Sequence, residues 1–225
     1  MYADHAFIGS EAANHGLQVF DLTQLRDIEP STSSDINILE ETAYYDQFGN
    51  SHNIVINEDT GYLYAVGSYT CSSGLHIVNI QDPTDPQFET CYADDGYVHD
   101  AQCVVYKGPD ADYQGREICF CYNENTLTIV DVEDKSNIKM ISRVPYDNLY
   151  YTHQVLLIVI GNVMSYFFYC FPALNMSLSV LKVTVYFSNW SYNVIYCIPG
   201  VADGGPEPPS FERWARRDNG SKSKY

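Results

Sequence analysis

Histidines recur at corresponding positions along the chain, and two of them precede an Asn or an Asp. His52 is followed by Asn53, His99 is followed by Asp100, and His153 occupies a third such position. Imidazole and carboxylate groups are ligands that zinc and other transition metals take from proteins. If the fold brings these side chains to one axis, they would hold a divalent metal with an open position for water.

A structural role explains the same repetition and is the favoured interpretation. A His or Asp at the start of a strand often ties neighbouring strands together through hydrogen bonds to loop backbone. Repetition by itself requires only that each repeat reuse one structural device. The metal site at His52, His99, Asp100 and His153 is therefore the alternative hypothesis, and no catalytic residue is assigned.

A second cluster of possible ligands lies in the segment GPDADYQGRE (108–117). Asp110, Asp112 and Glu117 offer carboxylates, and calcium binds several oxygens from one tight segment. Gln114 stands where an EF-hand has Asp or Asn, and no glutamate occupies the twelfth position, which excludes an EF-hand. A plain acidic hairpin is the favoured interpretation, and calcium at Asp110, Asp112 and Glu117 is the alternative.

The chain has seven cysteines but no C-x-x-C pair, and their spacings match no zinc module. Disulfides in an oxidising compartment are the better interpretation. We predict Cys71–Cys91, because these residues flank one predicted strand, and Cys103–Cys119, because they lie on neighbouring strands of one hairpin. Cys121 faces the same side as Cys119 and competes with it for Cys103.

The elements that must position these residues are repeated strands. Three segments align as buried strands closed by turn-forming residues, namely GLQVFDL (16–22), GLHIVNIQDP (74–83) and NTLTIVDVEDK (125–135). Another strand precedes each of them, at 5–10, 62–68 and 117–123. Further strands are predicted at 52–56, 87–93 and 99–106. The repeating unit is a four-stranded antiparallel sheet of about 50 residues, the size of a propeller blade.

The segments GLHIVNIQDP and TLTIVDVEDK resemble the LVIVD repeat. The segments SHNIVINEDTGYLYAVG, HDAQCVVYKGPDADYQGREICF and YTHQ resemble the choice-of-anchor B family, also labelled regulatory P domain-containing proteins. The resemblance covers about residues 2–154. It implies an extracellular or surface-attached β-propeller of unknown biochemical activity, here with two nearly complete blades flanked by pieces of two others.

The charge composition of the sequence changes after Gln154. Residues up to Gln154 carry six Lys and Arg against 25 Asp and Glu, whereas residues from Val155 onward carry six against four. Residues 155–181 carry no charge. We therefore divide the chain into a partial propeller at 1–154 and a non-family tail at 155–225. A retained intron is the favoured origin of the tail, and a divergent domain or a membrane span at 155–181 are the alternatives.

These features limit the function. A formal net charge of −17 argues against nucleic acid, since phosphate binding needs clustered Lys and Arg. No G-x-S-x-G, P-loop or G-x-G-x-x-G motif occurs. A non-enzymatic recognition or scaffold module for an unknown protein or glycan is the leading expectation, and a metal-binding protein or metal-dependent enzyme is the alternative. The first ten residues lack the features of a signal peptide, although an extracellular or cell-surface location is expected for the full-length protein.

Overall fold

The computed structural model describes residues 1–28, 38–108 and 110–145, together with the backbone of strands at 149–160, 163–172 and 179–185. Within these ranges the chain is all-β. It forms antiparallel strands and two short 3-10 helices, Leu22–Asp27 and Cys71–Ser73. No helix in the described part is long and apolar enough to cross a membrane.

The described strands form four antiparallel sheets, and in each of them strands that follow one another along the chain are neighbours. The first sheet contains β1 (His5–Ile8), β2 (Leu17–Asp21) and β3 (Ala43–Tyr45). The second contains β4 (Asn53–Asn57), β5 (Tyr62–Val66), β6 (Leu75–Asn79) and β7 (Gln87–Tyr92). The third contains β8 (Val98–Val105), β9 (Glu117–Asn123), β10 (Thr126–Asp131) and β11 (Lys139–Pro145). The fourth contains β12 (Leu149–Ile160), β13 (Val163–Pro172) and β14 (Ser179–Val185).

The predicted strands and hairpins are confirmed. In chain order, two four-stranded sheets stand between two three-stranded sheets, and the division into two nearly complete blades and pieces of two others stays a prediction. The predicted boundary at Gln154 falls inside β12, whose backbone continues as a strand to Ile160. The segment 155–181, which includes the considered membrane span, contributes strand backbone to β12, β13 and β14 wherever it is described.

The two central strands of the second sheet, β5 and β6, are buried on both faces. Along β5, Leu63 and Ala65 belong to a core shared with the first sheet, whereas Tyr64 and Val66 belong to a core shared with the third sheet. Alternate side chains of a strand point to opposite faces of the sheet. The run YLYAV is therefore apolar throughout because neighbouring sheets cover both faces.

The third sheet continues the same stacking. Every residue of β9 and of β10 is buried, and Cys119 and Cys121 face the second sheet. The first strands of successive sheets lie side by side, since β8 contacts β4 and also contacts β12. The residues that precede or begin these strands are thus brought to neighbouring positions.

Gly74 precedes β6 and is restricted by a close backbone approach. A Cβ at this position would collide with the carbonyl oxygen of Tyr92. Gly16 holds the corresponding position before β2, where a Cβ would collide with the carbonyl oxygen of Tyr45. Glycine is therefore required at both positions, because the end of the last strand of the described sheet passes too close for a side chain.

Replacing Gly74 with alanine is expected to lower the free energy of unfolding by about 1–3 kcal/mol, because the backbone must shift to relieve the collision. Gly96→Ala is the control, since no atom lies within 4 Å of its Cβ position and the change costs only about 1 kcal/mol for its positive φ. Urea denaturation of both variants measures the difference. Equal losses would show that the approach of Tyr92 does not restrict Gly74.

Candidate functional site

Two of the histidines predicted to converge are in contact. The ring centroids of His52 and His99 are 4.1 Å apart, with 43° between the ring planes. His52 immediately precedes β4 and His99 is the second residue of β8, so the contact between these first strands of neighbouring sheets brings them together. His99 is buried and His52 is partly exposed. The rings therefore stack at one end of the second and third sheets.

Asp100 lies in the same region but makes structural hydrogen bonds. Asn53 Nδ2 donates to Asp100 Oδ1 at 2.8 Å, and the amide of Ala101 donates to the same oxygen at 2.9 Å. The bond from Asn53 joins the second sheet to the third. Burying a carboxylate is favourable only when such donors satisfy it.

Glu11 also belongs to this region, although the sequence analysis did not select it. Its Oε1 is 2.6 Å from Nδ1 of His52, and this hydrogen bond lowers the pKa of Glu11 below its usual value. Glu11 lies in the loop between β1 and β2, and no periodicity marks it. Only the packing of the first sheet against the second brings it to His52.

The described side chains of His52, His99 and Asp100 do not form a cluster of the kind that holds a metal ion. Among the side chains that the structure describes, one group of at least three His, Cys, Asp or Glu residues has its ligand atoms within 4.8 Å of one another, and it consists of Cys71, His76 and Cys91. The side chain of His153 lies outside the described residues. A divalent metal at the predicted histidines stays a prediction.

The acidic loop before β9 shows local turn hydrogen bonds. The amide of Asp112 donates to Oδ1 of Asp110 at 3.1 Å. Glu117 is buried and accepts from Asn57 Nδ2 at 2.7 Å, so its carboxylate is engaged with the second sheet. Calcium at Asp110, Asp112 and Glu117 also stays a prediction.

Both predicted disulfides are present. Cys71 and Cys91 have Cα atoms 5.3 Å apart, and Cys103 and Cys119 have Cα atoms 4.0 Å apart. Cys103 is directly opposite Cys119 in the register of β8 and β9. Cys121 is the free, buried cysteine of the described residues, and burial raises the pKa of its thiol. A thiol in this state is a poor nucleophile.

His76 is the residue that the sequence analysis missed. It is buried within β6, and its Nε2 lies 2.7 Å from Tyr45 Oη of the first sheet. Its Nδ1 lies 2.8 Å from Thr70 Oγ1 and 3.6 Å from Cys71 Sγ. The signal available in the sequence was a polar residue inside the otherwise apolar run of GLHIV.

The protein is expected to lose stability in mild acid through His76. Burial lowers the pKa of His76 to about 4, while the unfolded chain titrates near the usual value of about 6.5. Above pH 6.5 the imidazole of His76 is mostly neutral in both the folded and the unfolded protein. As the pH falls from about 6.5 to about 4, only the unfolded state gains the proton, which lowers the free energy of unfolding by up to about 3 kcal/mol.

Urea denaturation at pH 7 and pH 4.5 measures this effect, with His76→Gln as the comparison. The variant has no imidazole, so its stability is expected to fall less between the two pH values. The groups at the two ring nitrogens, Tyr45, Thr70 and the Cys71 sulfur, are uncharged, and they remain in both proteins. The same pH dependence in both would assign the acid sensitivity to other groups.

The fold and these contacts define an all-β, disulfide-containing protein made of repeated antiparallel sheets that stack face to face. No protein-family model matches the chain, and no curated protein matches it.

Proposed function

We propose that this chain is part of an extracellular β-propeller of the LVIVD type and serves as a recognition or scaffold module. The observation that carries the proposal is the burial of the central strands of the second sheet on both faces, by the first sheet and by the third. Propeller blades stack in this way around an axis. The two disulfides support an extracellular location, because such bonds persist in oxidising compartments.

The arrangement of first strands supports the same proposal. β4, β8 and β12 follow one another in space, as strands that line a propeller channel do. Tyr69 lies near the start of β4, since its amide donates to Asn50 Oδ1, and its side chain is 82% exposed. An exposed aromatic side chain supplies large contact area at low entropic cost and is typical of binding surfaces.

Binding to arrays of glycans and of secreted proteins, with a chelator present, tests this function. We expect a saturable partner whose affinity falls about tenfold in Tyr69→Ala, the loss typical of an aromatic anchor. Met140→Ala is the matched control, because Met140 is exposed on β11 and its removal is expected to leave the affinity unchanged. Absence of any chelator-resistant partner would contradict the proposal.

A second candidate function is metal binding or metal-dependent catalysis at His52, His99, Asp100 and His153. The contact between His52 and His99 favours it. Metal content of the protein purified without chelator, measured by inductively coupled plasma mass spectrometry beside His99→Ala, separates the two functions. Stoichiometric metal that is lost in the variant supports the second function, and metal-free folded protein removes it.

A further inference from the structure

Three side chains around the first disulfide form a compact group of soft and borderline metal ligands. The two sulfur atoms of Cys71 and Cys91 and a ring nitrogen of His76 all lie within 4.8 Å of one another. Thiolate and imidazole are the ligands that zinc prefers. While the disulfide is intact its sulfur atoms are not thiolates, so the group has no ligand function in that state.

The hydrogen bonds of His76 prepare Nδ1 to be a ligand. In the tautomer that carries the proton on Nε2, this N–H donates to Tyr45 Oη at 2.7 Å, which leaves the lone pair on Nδ1. Histidine ligands of metals are commonly held by such a donation from the other ring nitrogen to an oxygen. Thr70 Oγ1, which is 2.8 Å from Nδ1, also contacts Ser68 Oγ at 2.8 Å. The Thr70 hydroxyl therefore keeps Ser68 as a hydrogen-bond partner when a metal ion replaces it at Nδ1 of His76.

The two disulfides differ in their accessibility. Cys91 is exposed and Cys71 is half-buried, whereas Cys103 and Cys119 are both buried. Thiol–disulfide exchange requires an attacking thiolate to reach a sulfur atom. A dithiol reductant is therefore expected to open Cys71–Cys91 while Cys103–Cys119 stays closed.

We propose that reduction of the Cys71–Cys91 disulfide converts these cysteines and His76 into a three-ligand site for Zn²⁺. A dithiol supplies two electrons and two protons, so that the S–S bond breaks, two thiols form and the reductant becomes a disulfide. Zinc then binds both sulfurs as thiolates and releases the two protons to solvent. The fourth position is open to water, because Cys91 is exposed.

The loop that carries Cys71 has a strained backbone that either a disulfide or a bound zinc ion can restrain. Cys71, Ser72 and Ser73 have positive φ values of 53°, 53° and 64°, a left-handed conformation that is sterically unfavourable for residues with a Cβ atom. The disulfide to β7 holds this conformation in the oxidised protein. A zinc ion between the same two sulfurs restrains the same loop after reduction. The sulfurs must separate, since two Zn–S bonds are each about 2.3 Å long.

The test uses the full chain in its oxidised and its gently reduced state. Alkylation and peptide mapping first establish that only Cys71 and Cys91 have become thiols. After removal of the dithiol, the protein is incubated with Zn²⁺ and desalted, and bound zinc is measured by inductively coupled plasma mass spectrometry. We expect about one zinc per reduced chain beyond that of the oxidised chain. A site at His52 and His99 retains its metal in both states and so does not enter this difference.

Variants assign the ligands. Cys91→Ser and His76→Gln are expected to lower the zinc affinity at least tenfold, whereas Cys121→Ala, which removes a thiol outside the group, keeps it. Cobalt in place of zinc gives a second readout, since thiolate ligation produces a charge-transfer absorption band in the reduced wild-type protein. No extra zinc after reduction, or a reduced wild-type protein without that band, would overturn the proposal even where a variant fails to fold.

Discussion

Replacing Lys135 with methionine is expected to lower the free energy of unfolding by about 3–5 kcal/mol, because it leaves a buried carboxylate without its counter-charge. Lys135 Nζ lies 2.7 Å from Glu117 Oε2, and the two side chains are 9% and 2% exposed. The ammonium also donates to the carbonyl of Val132 at 2.7 Å and lies 4.0 Å from the centroid of the Tyr62 ring.

The effect is large because the carboxylate of this ion pair also joins two sheets. Glu117 begins β9 of the third sheet, and its other oxygen accepts from Asn57 and from Thr60 at the turn between β4 and β5. Removing the ammonium leaves these neutral donors to satisfy a charge that is shielded from water. The interface between the second and third sheets is therefore expected to weaken at this end.

Urea denaturation of three proteins checks this prediction. Lys139→Met is the matched control, since Lys139 is exposed and its change is expected to alter stability by less than about 0.5 kcal/mol. The double variant Lys135→Met/Glu117→Gln, which removes both charges, is expected to recover part of the loss. A Lys135 variant as stable as the Lys139 control would show that the pair contributes little.

Removing the Cys103–Cys119 disulfide is expected to lower the free energy of unfolding by about 3 kcal/mol, because the unfolded chain regains the entropy of the closed loop. The bond closes a sequence separation of 16 residues. It also joins β8 to β9 inside the core between the second and third sheets. The double variant Cys103→Ala/Cys119→Ala deletes it without leaving a reactive thiol at either position.

Comparison with Cys121→Ala isolates the contribution of the bond. Cys121 lies in the same core but carries no disulfide, so its change reports only the loss of one buried sulfur. Urea denaturation under non-reducing conditions measures both proteins, after peptide mapping has verified the Cys71–Cys91 bond in each. Equal losses would assign the stability of this region to packing rather than to the cross-link.

Much of this fold follows from local sequence patterns, namely apolar runs closed by turn-forming residues. The aligned segments around Leu17, Leu75 and Leu127 predicted the strands β2, β6 and β10, because apolar runs closed by turn residues form strands whatever lies beside them. The same repeat positions placed Cys103 opposite Cys119 across one hairpin. Disulfide pairing was predictable because the hairpin register depends on residues close in the chain.

The contacts that give the sheets their chemistry depend on the tertiary structure. His76 meets Tyr45, Glu11 meets His52, and Asn57 reaches Glu117 only after separate hairpins have been placed against one another. Each pair joins residues far apart in the chain, and hydrophobic periodicity carries no information about which polar groups meet across an interface. The sequence by itself determined the strands and their hairpin partners and predicted both disulfides, while the structure decided between Cys119 and Cys121 as the partner of Cys103. The packing of the first sheet on the second decided how the His76 ring is held within the group of Cys71, His76 and Cys91, since Tyr45 of the first sheet contacts one of its ring nitrogens.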